Sequence, residues 1–175
     1  STDAGLMQLN GGTSPSMRPN LPALTPTFTI PTFIVPSNCT RAWTSPINVI
    51  GAMHHMHLVG VHQEIEVSRG GVNLGPMRWE RVYDFRHQSI EESLVSQLMP
   101  GDELRVTCQY DTSKKNVTTS FGESTDNEMC WSALMYYPAQ AFSTAVVVTA
   151  KSISELRATG EPCTNASTTY AAQNY

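Results

Sequence analysis

Four of the five histidines fall within nine residues, in the run Met53-His54-His55-Met56-His57-Leu58-Val59-Gly60-Val61-His62. On a β-strand, residues i and i+2 project to the same face. His55 and His57 would then project together, with both imidazoles in reach of one ion, while His54 and Met56 point the other way. Neutral imidazole suits copper, zinc, nickel and iron, and a thioether favours Cu(I). Two ligands do not complete a site, so a third has to come from elsewhere in the chain.

The cysteines are Cys39, Cys108, Cys130 and Cys163. None has the C-x-x-C spacing of a zinc ribbon or thioredoxin-type site. An even count at wide spacing suits two disulfides, with three connectivities open. Three tripeptides, beginning at Asn38, Asn116 and Asn165, match the N-glycosylation acceptor. Cysteines and acceptors together point to a secreted, extracellular or secretory-lumenal protein.

The elements that would position these groups read as β-structure. Seven of the eleven prolines lie between Pro15 and Pro46, so residues 1–46 form a proline-rich leading segment without a long helix or central strand. Within it, Thr27-Phe28-Thr29-Ile30 suits an edge strand, and Phe33-Ile34-Val35 extends it past Pro31. Residues 48–67 are long, β-branched in places and free of proline. A glycine-rich hairpin turn follows at 69–75, and residues 77–85 are expected to return as a strand. After the turn at Met99-Pro100-Gly101-Asp102, residues 103–110 alternate strictly, which puts Leu104, Val106, Cys108 and Tyr110 on one buried face. Residues 129–137 and 145–150 are further strands. Helical turns are expected only near 89–98 and 152–157. Short strands at such spacing predict an all-β, antiparallel β-sandwich, and residues 164–175 read as a polar tail or linker.

At 175 residues and 19.2 kDa the chain fits one domain, here residues 1–163, large enough for its own core. Eleven Lys and Arg against fifteen Asp and Glu leave a net charge of -4, without the basic face that nucleic acid requires. No apolar run reaches the ~18 residues of a membrane span. The chain has neither a starting Met nor a signal peptide, as expected of a processed product or part of something longer.

A family resemblance gathers these pieces. Asp3-Ala4-Gly5-Leu6-Met7, His55-Met56-His57-Leu58-Val59-Gly60, Tyr83-Asp84-Phe85 with Gln88, Pro100-Gly101-Asp102, Cys108-Gln109-Tyr110, Glu128-Met129-Cys130 and Tyr136-Tyr137-Pro138 occur in this order. From about Asp3 to about Cys163 the chain resembles the C-terminal half of the copper type II, ascorbate-dependent monooxygenases. The resemblance implies a jelly-roll-type sandwich holding one copper through His55, His57 and Met129, with ascorbate as reductant and O2 as co-substrate. It also implies a Cys108–Cys130 disulfide beside Met129, an outer Cys39–Cys163 pair, and a partner N-terminal domain with three copper-binding histidines.

Two departures bear on function. Peptide-amidating members hold a peptide carboxylate with an arginine, an asparagine and a tyrosine. The matching positions here are Met53, Trp131 and Ala133, none of which offers a charge-assisted hydrogen bond. The three-histidine domain is also missing from these residues. The chain is therefore expected to be the oxygen-activating half of a longer C–H hydroxylase. The alternative is a non-catalytic, glycosylated module of an extracellular assembly with a vestigial or structural copper site. A third reading, an accidental His-x-His in an adhesion-type sandwich, predicts no Cys108–Cys130 bond.

Overall fold

Strict alternation over Glu103–Tyr110 builds the central strand of one sheet. Leu104, Val106, Cys108 and Tyr110 are buried, and the residues between them lie half-exposed on the other face. The computed structural model describes residues 3–10, 20–30, 33–78 and 82–139. These form β1 (Gly5–Asn10), β2 (Phe28–Thr29), β3 (Phe33–Val35), α1 (Ser37–Thr40), β4 (Ile47–His55), β5 (Gly60–Arg69), β6 (Val72–Pro76), β7 (Glu91–Glu92), β8 (Gln97–Leu98), β9 (Glu103–Tyr110) and β10 (Trp131–Tyr137). One sheet runs β1-β10-β4-β7, with β8 also on β4. The other runs β2-β9-β5-β6, with β3 also on β9. Every ladder between these strands is antiparallel. The inward rows of both sheets meet in one core, including Ile47, Val49 and Leu134 from one and Ile65, Val67 and Val106 from the other. The result is the expected antiparallel sandwich, braced by a disulfide.

Two of the connections that cross from sheet to sheet carry the residues of interest. The first is the four-residue corner between β4 and β5, with Met56 fully buried. A Cβ on Gly60 would lie 2.6 Å from that of Met56, so this tight corner needs a glycine there. The second is the long connection from β9 to β10, residues 111–130. Cys108 on β9 is bonded to Cys130 at its end.

A β-bulge sets which way His55 faces. Val49 pairs with Tyr136 but Gly51 pairs with Met135, so β4 holds one extra residue there. Ile47 and Val49 point inward before the shift, and Ala52 and His54 point inward after it. Uninterrupted alternation would have buried His55; the bulge turns it outward.

Several local expectations are corrected. The described residues of the stretch 77–85, which are 77–78 and 82–85, hold no strand. The pairing strand is β6, which ends at Pro76, a residue with no N–H for the ladder. Beyond it the Asp84 carboxylate accepts from Arg86 N at 3.0 Å and the Asp84 carbonyl from His87 N at 2.9 Å, which makes a turn. Residues 89–98 are not helical, because β7 and β8 are drawn onto the open edge of β4. Residues 5–10 form the edge strand β1, which no strong alternation announced. The proline-rich segment holds the short helix α1, with Pro36 just before it, where a missing N–H costs nothing. Cys163, Asn165, the strand expected at 145–150, the helical turn at 152–157 and the tail at 164–175 lie outside the described residues.

Asp102 is the main polar node remote from the histidines. Its fully buried carboxylate accepts from Arg69 Nε at 2.8 Å, Arg69 Nη2 at 2.9 Å and Met99 N at 2.8 Å. The hydroxyl of Thr40 donates to its backbone carbonyl. Asp102→Asn removes one acceptor and the ion pair together. It should cost about 2 kcal/mol in urea unfolding, below the range for a fully buried pair because Arg69 stays partly solvated.

Candidate functional site

β4 stops at His55, so His57 stands on the corner rather than on the strand. The two rings still meet, with centroids 5.1 Å apart and planes perpendicular. Strand periodicity is thus not what joins them. Their partners are.

Each imidazole is held through Nδ1. His55 Nδ1 is hydrogen-bonded to Gln88 Oε1. The Gln88 amide donates from its nitrogen to Phe85 O at 2.9 Å, which turns its oxygen toward His55. An amide oxygen only accepts, so His55 Nδ1 carries the proton. His57 Nδ1 donates likewise to Asn127 O at 3.0 Å. Both lone pairs therefore sit on Nε2, and among the described residues neither Nε2 is hydrogen-bonded. Burial lowers the His55 pKa; the Gln88 bond opposes this and the charge of His57 adds to it. A lowered value leaves the ring neutral at pH 7, the form that ligates metals.

Aromatic edges close the pair. Trp131 stands opposite His55 in the β4–β10 ladder, with ring centroids 5.8 Å apart. Phe85 lies 6.0 Å from His57. Between the histidines, the Tyr83 hydroxyl accepts from Met56 N at 2.9 Å and donates to Met56 O at 2.7 Å. The 82–88 loop thus supplies Tyr83, Phe85 and Gln88 as supports.

Met129 approaches from the second connection. It stands two residues before β10, next to the disulfide-bonded Cys130. The fully buried Glu128 ties the two segments together. Its carboxylate accepts from His57 N and Val59 N, both at 2.9 Å, and from Met129 N at 3.2 Å. Burial raises the Glu128 pKa, and these backbone donors oppose the shift. Met129 O accepts from the Tyr110 hydroxyl at 2.9 Å.

The other histidines stay apart. His54 faces the core beside Ser132, its ladder partner. The side chain of Gln63 reaches Ser132 Oγ from the opposite sheet at 2.6 Å. His62 lies on β5 with Glu64 at 3.8 Å, and the exposed His87 bonds Asp84 at 3.1 Å. Among the described residues no group of three His, Cys, Asp or Glu gathers. A metal at His55 and His57 would therefore need a ligand of another kind, and a thioether is one. Copper fits this set: two imidazoles oriented through Nδ1 beside a methionine-bearing segment.

Nothing in the sequence marks Glu128, Tyr83, Asn127 or Gln88 as a support of the histidines. Glu128 stood inside a quoted motif, yet a lone carboxylate gives no sign of burial. The Cys108–Cys130 bond is present, with Cα atoms 6.1 Å apart, which removes the reading of an accidental His-x-His. Asn116 sits on an exposed loop, whereas Asn38 is half-buried in α1 and the hydroxyl of its Thr40 is fully buried. No helix among the described residues is long and apolar enough to cross a membrane.

Comparison with known proteins agrees with this geometry. Residues 2–157 match the family described as copper type II ascorbate-dependent monooxygenase, C-terminal domain. Mouse DBH-like monooxygenase protein 1 is 37% identical over 95 residues, 54% of this chain and 16% of that protein. Tyramine beta-hydroxylase of Caenorhabditis briggsae is 33% identical over 106 residues, 59% of this chain and 18% of that protein. Dopamine beta-hydroxylase of dog is 29% identical over 139 residues, 78% of this chain and 22% of that protein. The chain thus spans about a fifth of the curated relatives it matches. It belongs to the copper type II, ascorbate-dependent monooxygenase family, and within that family to the C-terminal domain.

Proposed function

We propose that the chain holds one copper through His55, His57 and Met129 and serves as the oxygen-activating half of a secreted, ascorbate-dependent monooxygenase that hydroxylates a C–H bond. What supports this most is the pair of imidazoles with both Nδ1 protons committed and both Nε2 lone pairs available, on a corner clamped to the methionine segment. Copper, when bound there, supplies one-electron and dioxygen chemistry.

The chain's own residues bind, orient and shield. Gln88 and Asn127 fix the tautomers of His55 and His57. Trp131 and Phe85 cover the flanks of the pair and limit access of water. Met53 and Trp131 lie half-exposed on β4 and β10 beside His55, with the buried Ala133 paired to Met53, and no cation is among the three. A substrate reaching His55 along this face would find aromatic and aliphatic contact rather than a carboxylate anchor, which favours a substrate without an essential carboxylate. The second copper and its three histidines belong to an N-terminal domain of the full protein. Of the two acceptors among the described residues, Asn116 is the better placed for glycan.

The test is copper stoichiometry on the intact native protein. The His55→Ala/His57→Ala double variant should lose one equivalent per polypeptide and all ascorbate-dependent uptake of O2. Unchanged stoichiometry would place the copper elsewhere. Loss of that equivalent without any wild-type turnover would favour a structural role for the metal.

A further inference from the structure

We propose that Glu128 is the positioning residue of this centre: its carboxylate holds the corner that presents His57 in register with the segment that presents Met129. This inference rests on the copper reading above. Glu128 is fully buried and makes no ion pair with Lys or Arg among the described residues. Burying a carboxylate without a cation is costly unless hydrogen bonds compensate. The compensation here comes from His57, Val59 and Met129, three backbone donors from two segments about 70 residues apart in sequence.

The carboxylate is itself anchored. Glu128 N donates to Ser120 O at 2.9 Å, and Glu128 O accepts from Gly122 N at 3.0 Å. Oε2 is shared between His57 and Met129, while Oε1 serves Val59 alone. Each donor belongs to a proposed ligand or to the turn that closes the ligand corner. Tyr83 holds Met56, and the backbone carbonyl of Asn127 holds the His57 ring. Glu128 bonds to the backbone N–H of both His57 and Met129.

Glu128→Gln tests the assignment, because an amide keeps the shape and offers a single acceptor oxygen. If that oxygen faces His57 and Met129, Val59 N meets an NH2 group. If it faces Val59, both ligand segments lose their acceptor. Cu(I) affinity of the full-length protein is measured by competition with a chromophoric chelator, and sulfur coordination by X-ray absorption. E128Q should bind Cu(I) at this centre about tenfold or more weakly, with reduced sulfur scattering and the Cys108–Cys130 bond intact. Asp102→Asn, which alters an equally buried carboxylate remote from the histidines, should change neither readout. Should E128Q fail to accumulate as folded protein, Glu128→Asp takes its place with the same expectation. Wild-type affinity and sulfur signal in the folded variant would overturn the inference alone, as would an equal loss in D102N. A wild type that binds no copper through His55 and His57 would overturn the copper reading, and this inference with it.

Discussion

Met129→Ile should bring O2-dependent turnover down to background while the fold stays intact. Methionine and isoleucine are close in volume, and Met129 is only half-buried. Swaps of that kind cost less than about 1.5 kcal/mol. What disappears is the thioether. Two imidazoles remain and still suit Cu(II), whereas the soft sulfur selects for Cu(I). The variant should therefore lose Cu(I) affinity by a larger factor than Cu(II) affinity, and the reduction potential of the centre should fall. That asymmetry separates a lost ligand from a disturbed fold, which would weaken both oxidation states alike. The measurements are Cu(I) and Cu(II) affinity side by side, the midpoint potential, and ascorbate-driven oxygen uptake. Full turnover in the variant would take Met129 out of the ligand set and leave the histidine pair without its third protein ligand.

Much of the fold was legible because local pattern and burial agree where a strand has one wet and one dry face. Glu103–Tyr110 is the clearest case, read to the residue from its alternation. Legibility failed where tertiary pairing overrode local pattern. Residues 91–92 and 97–98 pair with β4 because its edge is open, and nothing in their own sequence says so. Residues 82–85 fell within the strand expected at 77–85, but Tyr83 and Phe85 face the histidine corner and are not part of a ladder.

The site was half legible. His55 and His57 were found by their spacing, and the structure brings their rings together. The reason differs from the one the spacing suggested, since His57 is off the strand and the outward turn of His55 depends on the bulge near Ile50. No single-residue pattern reveals a bulge, because it is a property of two strands in register. The supports were not legible at all. Gln88, Asn127 and Glu128 are ordinary polar residues in sequence, and only distance shows that each holds a ring or a backbone N–H of the corner.

The Cys108→Ala/Cys130→Ala double variant carries the second large effect, on stability and on the site together. Both sulfurs are fully buried, 22 residues apart in sequence. In the chain-entropy model, opening a loop of that length costs about 3 kcal/mol, a large share of the ~5–15 kcal/mol that holds a domain folded. The bond does more than close a loop. Cys108 belongs to β9 in one sheet, and Cys130 lies between Met129 and the first residue of β10 in the other. It therefore fixes the crossover on which Met129 rides, next to the carboxylate that ties Met129 to His57. Without it, the bonds from Tyr110 and to Glu128 are what hold the backbone of that residue among the described residues. Denaturant unfolding of the double variant should show a midpoint drop matching about 3 kcal/mol. Variant that remains folded should show weakened Cu(I) binding, with His55 and His57 still able to take Cu(II). A stability loss with Cu(I) affinity unchanged would mean that the Glu128 and Tyr110 bonds position Met129 without help, and that the disulfide braces the sandwich but not the centre.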